Sequence, residues 1–216
     1  MRVLPVRTDE QIAAALSSIV EQLRSDGLIA YPTETVYGIG GAVTERAVER
    51  LRALKRREEH KPFLVLVPDP DRAPGVQWTA AARAIAQRFW PGPLTLALPA
   101  VPNAFPAGII AEDGRVALRA SPHRVVRAIN EEFGPITSTS ANAPGTVPAR
   151  DAAAAIAALE ALGADDVLVL DGGELPHSEA STIVAVDDHT ARVLRAGVIT
   201  ADDLRNELSG IGIDVG

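Results

Sequence analysis

The chain has 216 residues, of which 47% are hydrophobic and 23% are charged, and it contains no cysteine. This composition is typical of a globular protein, and the absence of cysteine excludes disulfides, thiolate metal sites and a cysteine nucleophile. A net charge of −7 argues against a general nucleic-acid-binding protein, because such binding depends mainly on excess lysine and arginine.

The length predicts one large domain, which we expect to cover residues 1–208, followed by a flexible tail over 209–216. No apolar run approaches the roughly 20 residues that a membrane span requires, and the first residues become polar too early for a signal peptide. The lack of cysteine also fits a reducing compartment. The sequence therefore predicts a cytoplasmic protein without a membrane segment.

In chain order, the first signals are those of a helix and a strand. Thr8 begins a capping box, and apolar residues follow it at helical spacing until Gly27. Residues 28–31 are apolar, and Pro32 ends this predicted strand because it has no N–H group to donate within a sheet. The later predicted helices begin at Thr44, Thr79, His123, Asp151 and Thr200, and the later predicted strands cover 63–67, 94–98, 116–119, 135–137, 167–170, 182–186 and 191–194.

This alternation predicts an α/β or α+β fold with a sheet of about seven strands and flanking helices. The last two predicted strands flank residues 187–190, Asp-Asp-His-Thr, and we expect them to form a hairpin. The periodicity does not determine whether neighbouring strands run parallel or antiparallel.

The loop after the first predicted strand is rich in hydroxyl and carboxylate groups. Thr33, Glu34, Thr35 and Tyr37 follow the end of a strand, which is where ligands commonly bind in open α/β sheets. An ordinary turn stabilised by threonine side chains is the alternative. The glycines within 38–41 have neither the GxGxxG order nor the spacing of a P-loop, so they are weak evidence for phosphate binding.

Cations cluster at the end of the second predicted helix. Lys55 and Arg57 can turn toward one anion, with arginine binding in a bidentate manner and lysine acting as a point charge, and Lys61 is a candidate third ligand. An interaction of these cations with the helix dipole is the alternative. Residues 58–60, Glu-Glu-His, are predicted to face solvent.

Residues 138–142, Ser-Thr-Ser-Ala-Asn, place small hydrogen-bonding groups at the end of another predicted strand. Hydroxyl and amide groups suit phosphate oxygens or a base edge, and a helix cap or a serine/threonine turn is the alternative. Arg119, Ser181 and Arg195 also lie at strand ends, although each alone is equally explained as a surface residue. The four histidines show no metal-ligand spacing, and no GxSxG sequence is present. Nucleotidyl transfer by positioning and charge neutralisation fits this combination of residues.

Several separate stretches together resemble a known family. They are YPTETVYGIG (31–40), the KxR of Lys55 and Arg57 with Lys61-Pro62-Phe63, WPGPLTLAL (90–98), RVALRAS (115–121), STSAN (138–142), and STIV (181–184) followed by VLRAG (193–197). In this order they resemble the YrdC-like family, the threonylcarbamoyl-AMP synthases, over most of the chain from about residue 8 to 198.

The resemblance implies a twisted open mixed sheet with a large, positively charged concave cavity. It also implies that L-threonine, bicarbonate and ATP react to give threonylcarbamoyl-AMP and pyrophosphate for the threonylcarbamoyladenosine modification of tRNA. The cofactor expected is Mg²⁺ bound with ATP, without a tightly bound metal ligated by the protein. The downstream partners expected are tRNA threonylcarbamoyl-transferase proteins.

The same resemblance implies roles for individual residues. Lys55 and Arg57 are expected to be catalytic, through neutralisation of charge on the departing pyrophosphate. The residues expected to bind ATP are Lys55, Arg57, Lys61, Ser140, Asn142 and Arg195. Those expected to bind threonine or its carbamate are Thr33, Thr35, Arg119, Ser138 and Ser181.

Two departures from the family pattern affect the threonine contacts. Many members have Arg-Pro after the KxR lysine and a histidine in the following strand, where this chain has Arg57-Glu58 and Leu66. We also expect the short form of the family, without an additional C-terminal domain. Two alternatives stay open: an RNA-binding module that uses the basic concave surface for weak binding of tRNA or double-stranded RNA, and a carbamoyl-adenylate-forming module of the hydrogenase-maturation type.

Overall fold

The structure is a computed structural model that describes residues 1–58, 61–73 and 75–216. Glu59 and His60, which the sequence predicts to face solvent, lie outside the described residues. Glu58 is exposed, as predicted.

One mixed sheet organises the described part of the chain, and its eleven strands exceed the number predicted. Their spatial order is β1-β8-β2-β3-β7-β4-β6-β5-β9-β10-β11, with both parallel and antiparallel neighbours. The strands are β1 Arg2–Pro5, β2 Ile29–Pro32, β3 Tyr37–Gly40, β4 Leu64–Leu66, β5 Leu94–Pro99, β6 Arg115–Arg119, β7 Ile136–Ser140, β8 Leu168–Asp171, β9 Thr182–Val186, β10 Thr190–Arg195 and β11 Asp214–Val215.

The predicted count of about seven strands is therefore wrong, since β1, β3 and β11 were not predicted. Strand β3 contains Gly38 and Gly40, and glycine is disfavoured within strands, so its composition suggested a loop. The fold requires glycine here because a Cβ atom on Gly40 would lie 1.7 Å from the carbonyl oxygen of Thr137. Strands β1 and β11 are short and lie at the two edges of the sheet.

The α-helices of the described residues begin near the predicted positions. Each N-terminal cap is the residue at which the helix was predicted to begin. Its side chain accepts a hydrogen bond from a backbone N–H of the first turn, which satisfies a donor that has no partner within the helix. The helices are α1 Asp9–Arg24, α2 Glu45–Lys55, α3 Ala80–Phe89, α4 Arg124–Glu132, α5 Ala152–Ala161 and α6 Ala201–Leu208.

The two faces of the sheet belong to two hydrophobic clusters. Ile29 and Tyr31 of β2 pack with α1 and α4, whereas Ala30 between them packs in the cluster that contains residues of α2, α3, α5 and α6. This division follows from the two-residue period of a strand, which sends successive side chains to opposite faces. Both faces are apolar at the centre, so the core has two layers.

The C-terminal residues also pack on this framework. A 3-10 turn at Ser209–Ile211 leads to β11, which runs parallel to β10, and Ile213 is buried. The flexibility of residues 209–216 and the single domain over 1–208 stay predictions. Among the described residues, no helix combines the length and the apolar character needed to cross a membrane.

Candidate functional site

Strand pairing brings two predicted site residues to one face of the sheet. Arg119 of β6 is paired with Leu66 of β4, and Leu64 on the same strand is paired with Ser138 of β7. Paired residues, and residues two apart on one strand, point to the same side of a sheet. Arg119 and Ser138 therefore share a face, together with Ser140 two residues further along β7.

The same face continues across β5, β9 and β10. Ile183 of β9 is paired with Thr95 on one side and with Arg195 on the other. Ser181 immediately precedes β9, and its hydroxyl oxygen lies 2.9 Å from that of Thr95. Arg195 donates from Nη2 to the Ser181 carbonyl oxygen at 2.8 Å and to its Oγ at 3.1 Å. Burial, and then the charge of neighbouring Arg119, lower the pKa of the Arg195 guanidinium.

Arg119 is a buried cation on this face, with 5% of its surface exposed. Its Nε is buried and has no hydrogen-bond partner among the described residues. Arg195 is one charged neighbour of Arg119. Another is Glu34, whose Oε1 lies 3.5 Å from this Nε and also has no hydrogen-bond partner there. The other carboxylate oxygen of Glu34 accepts a hydrogen bond from Ser121 Oγ at 2.5 Å. Arg119 therefore offers an unused donor beside an imperfect ion pair.

The loop that carries Glu34 is a threonine-stabilised turn. Thr33 Oγ1 donates to the carbonyl oxygen of Val36 at 2.6 Å and accepts from the backbone N–H groups of Thr35 and Val36 at 3.2 Å. Thr33 and Thr35 are both buried, and their hydroxyl oxygens lie 3.2 Å apart. The ordinary-turn interpretation is thus correct for the local structure. Threonine binding by Thr33 and Thr35 stays a prediction.

Lys55, the last residue of α2, forms hydrogen bonds with the turn after β7. It follows Leu51 by four residues on the buried stripe of the helix and is only 7% exposed. Its Nζ donates to the carbonyl oxygens of Ser140, at 2.8 Å, and of Asn142, and to Asn142 Oδ1 at 3.2 Å. Three acceptors match the three N–H groups of an ammonium ion. Burial, and then the charge of Arg57, lower the pKa of Lys55 to about 8.

Arg57 connects the backbone before β4 to a side chain of β7. Its Nε donates to the carbonyl oxygen of Lys61 at 2.8 Å, Nη2 to that of Pro62 at 2.9 Å, and Nη1 to Thr139 Oγ1 at 3.1 Å. The guanidinium carbon also lies 4.9 Å from the centre of the Phe63 ring. A guanidinium carries two N–H groups on each Nη atom, so these bonds leave donors for a ligand.

Lys61 is placed differently from the other two cations. Its side chain is exposed, and its Nζ lies 2.7 Å from the Glu58 carboxylate. Lys61 reaches Arg57 through its carbonyl oxygen and not through its ammonium group. A role for the Lys61 side chain in ATP binding stays a prediction.

The structure adds two polar residues that the sequence did not single out. Thr95 contacts Ser181, and Ser121 contacts Glu34. Both lie inside the family-like stretches, so proximity to those motifs could have indicated them. At the family position usually held by histidine, Leu66 is buried in the apolar cluster with α1 and α4 and offers no polar group.

The site thus has two connected groups of side chains. Arg119, Ser181 and Arg195 lie toward β5, β9 and β10, whereas Lys55, Arg57 and Asn142 gather around the end of β7. Ser138 and Ser140 lie between them on β7. An open mixed sheet with cations and hydroxyl groups on the face of Arg119 and around the end of β7 has the features of an anion-binding α/β protein. The large positively charged cavity stays a prediction.

Comparison with known proteins agrees with this class. The Sua5/YciO/YrdC family model, described as telomere recombination, matches residues 21–197, so the chain belongs to that family. A Bacillus subtilis protein named threonylcarbamoyl-AMP synthase is 33% identical over 212 residues, which are 96% of this chain and 59% of the relative. A Chromobacterium violaceum protein of the same name is 36% identical over 179 residues, which are 81% of this chain and 89% of the relative.

Solved structures show the same fold. The crystal structure of P. abyssi Sua5 complexed with L-threonine has a TM-score of 0.84 and 27% identity, and the match covers 100% of this chain and 62% of that one. E. coli YciO has a TM-score of 0.76 and 23% identity, with 91% and 95% covered. The predicted family and fold class are therefore confirmed. The chain spans less than two thirds of the length of the B. subtilis and P. abyssi proteins.

Proposed function

We propose that this chain is an L-threonylcarbamoyladenylate synthase, which forms threonylcarbamoyl-AMP and pyrophosphate from L-threonine, bicarbonate and ATP. Its membership of the family supports this, as do the names of its curated relatives and the threonine complex of a structural neighbour. The enzyme is a nucleotidyltransferase that moves an adenylyl group from ATP to threonylcarbamate.

The main structural support for this proposal is the buried guanidinium of Arg119, whose Nε has no hydrogen-bond partner among the described residues. Leaving a buried charged donor without a hydrogen-bond partner is costly, so such a group is retained where a ligand can satisfy it. A guanidinium matches a carboxylate in shape and charge. We assign the substrate carboxylate to Arg119, with Ser138 and Ser181 on the same face and the Thr33 to Thr35 turn beside it. This position is the threonine half of the proposed site.

The nucleotide half is the group around the end of β7. Arg57 has N–H donors left after its backbone contacts, and Ser140 and Asn142 lie within reach of the Lys55 ammonium. We assign ATP to these residues, with Arg195 and Lys61 as outer contacts. Lys55 orients the Ser140 to Asn142 turn and adds positive charge to it.

The chemistry follows from this division. Threonine's amino group and bicarbonate give a carbamate and release water. A carbamate oxygen then attacks the α-phosphorus of MgATP as pyrophosphate leaves. Lys55 and Arg57 stabilise the charge that develops on the leaving group, which is the role of fixed cations in phosphoryl and nucleotidyl transfer. Within the described residues, acidic and histidine side chains form no cluster of three, so we propose that Mg²⁺ enters with the ATP phosphates as part of the substrate.

The product is proposed to pass to tRNA threonylcarbamoyl-transferase proteins for modification of tRNA. Weak binding of tRNA or double-stranded RNA by this chain stays a prediction, as does a cytoplasmic location. The hydrogenase-maturation alternative differs in its substrate, because it would use carbamoyl phosphate in place of threonine and bicarbonate.

The test is incubation of the purified chain with labelled L-threonine, bicarbonate and MgATP. We expect a labelled adenylate and pyrophosphate whose formation requires both threonine and bicarbonate. Parallel reactions with carbamoyl phosphate, or without threonine, serve as controls. Pyrophosphate release that depends on carbamoyl phosphate and ignores threonine would contradict the proposal.

A further inference from the structure

The half-buried Glu34 and the buried Arg119 form a pair whose facing atoms are buried and both unsatisfied. Glu34 Oε1 lies 3.5 Å from Arg119 Nε, and neither atom has a hydrogen-bond partner among the described residues. The two side chains are 16% and 6% exposed. An oppositely charged pair at hydrogen-bond distance would satisfy both atoms, so this longer separation leaves each one able to accept a better partner.

Ser121 holds the carboxylate in this position. Its Oγ donates to Glu34 Oε2 at 2.5 Å and accepts from the N–H of His123 at 3.2 Å at the start of α4. Glu34 is therefore anchored at one oxygen and remains beside Arg119 whichever group Arg119 binds. A ligand at Arg119 meets a fixed negative charge.

That fixed charge restricts which ligands can bind. A carboxylate placed on Arg119 lies next to the carboxylate of Glu34, and like charges repel strongly where solvent is largely excluded. A ligand that also carries an α-ammonium group offsets this repulsion, because its cation can face Glu34. The pair is complementary to the zwitterionic head of an amino acid and not to a simple carboxylate.

We propose that Glu34 is a specificity-determining residue that admits free α-amino acids to Arg119 and rejects carboxylates without an amino group. This inference rests on the proposed function, because it assigns the substrate carboxylate to Arg119. It adds a selective role to a residue of the threonine-stabilised turn, and it makes Ser121 the positioning residue for Glu34.

The test compares L-threonine with 3-hydroxybutanoate, which has the same carbon chain, hydroxyl and carboxylate but lacks the amino group. Binding of each compound to the full chain is measured by isothermal titration calorimetry for the wild type, Glu34→Gln, Ser121→Ala and Glu160→Gln. Glu160 is exposed on α5, which packs on the opposite face of the sheet, so its variant controls for the loss of one negative charge. Thermal midpoints establish that each variant is folded.

We expect the wild type to prefer L-threonine by about 100-fold or more, since an unpaired buried charge is a strong basis for rejection. In Glu34→Gln this preference should fall by about tenfold or more, chiefly because 3-hydroxybutanoate binds more tightly. Ser121→Ala should reduce the preference less, and Glu160→Gln should retain it. If Glu34→Gln does not fold, the Ser121→Ala comparison decides the question.

The outcomes separate this inference from the proposed function. An unchanged preference in Glu34→Gln, or in Ser121→Ala where that variant decides, overturns the role of Glu34 while threonine binding by the wild type still supports the proposed substrate. If 3-hydroxybutanoate binds Glu34→Gln and the wild type binds neither compound, the role of Glu34 stands and the proposed substrate is wrong. If no variant binds either compound, both proposals fall.

Discussion

At the scale of single residues, Lys55 shows that the fold decides whether a charged side chain is exposed or buried. The sequence places it at a helix end, where a cation commonly faces solvent and the helix dipole. The structure instead buries it, and carbonyl oxygens of Ser140 and Asn142 accept its hydrogen bonds. These hydrogen bonds hold the positively charged ammonium group of Lys55 at the end of β7.

Replacing Lys55 by methionine keeps most of the aliphatic volume and removes the ammonium group. We expect kcat/KM for threonine-dependent pyrophosphate release to fall by about 100-fold or more, because a fixed charge that stabilises the leaving group is lost. Arg46→Met is the matched control, since Arg46 is an exposed cation on the same helix. A Lys55→Met enzyme with wild-type kinetics would contradict the role assigned to Lys55.

The low pKa of Lys55 predicts a pH dependence. Burial and the charge of Arg57 lower this pKa from 10.5 to about 8. If the ammonium form is required, activity should fall by about tenfold per pH unit above that value. A pH–rate profile of the wild type measures this limb, and Arg46→Met should retain it. A profile that stays flat to pH 9.5 would show that the charged form of Lys55 is not required.

The same shift has a defined sign for stability. Between pH 8 and 10.5 the unfolded chain binds more protons at Lys55 than the folded chain does, so this residue's contribution to the free energy of unfolding increases as pH rises through that window. Below pH 8 both states are protonated, and the contribution is constantly unfavourable. The increase should be absent in Lys55→Met.

At the scale of elements, the unpredicted strand β3 positions the site. It lies between β2 and β7, and its register places Gly38 opposite Ser140. The close approach of Gly40 to Thr137 lets β3 and β7 pair. Glycines that by themselves suggested a weak phosphate-binding loop are needed for strand pairing instead.

Gly40→Ala should therefore destabilise the protein. The added methyl group would overlap a backbone oxygen, so the strands must separate, and we expect the free energy of unfolding to decrease by about 3 kcal/mol. Urea unfolding followed by circular dichroism measures the effect. Gly210→Ala is the control, because its Cβ would have no atom within 4 Å. Equal stability of the two variants would mean that β3 and β7 can separate at little cost.

At the scale of the whole molecule, the net charge of −7 opposes the local cations of the site. Small anions can reach a buried guanidinium, but a polyanion must also approach the acidic surface. Aromatic residues are 4% of the chain, which is a weak basis for stacking on RNA bases. The molecule as a whole is therefore suited to a nucleotide more than to a nucleic acid.

We accordingly expect tRNA to bind no more tightly than about 100 µM at physiological salt, which is the weak end of non-specific binding. A filter-binding titration with tRNA, beside an ATP titration of the same preparation, measures both. Binding of tRNA should weaken steeply with added salt, whereas ATP binding should change less. Micromolar tRNA binding that survives 0.2 M salt would instead support the RNA-binding alternative.

Local signals in the sequence predicted much of the fold. Caps such as Thr8 and Thr200 act within four residues of themselves, and apolar spacing along each helix and strand is also a local property, so both can be read without the fold. The motif stretches predicted the family, which the comparisons confirm. Strand β3 was not predicted because its glycines are required by contacts with β7, which lies far along the chain.

The sequence by itself determined the α-helices and eight of the eleven strands among the described residues, the family and the residue types available for chemistry. Only the tertiary structure decided that Glu34 lies against Arg119, that Ser121 anchors Glu34, and that Lys55 is buried. These facts depend on pairing between strands and packing between elements that are distant in sequence. A pattern of residues shows which groups could meet, whereas the register of the sheet selects the ones that do.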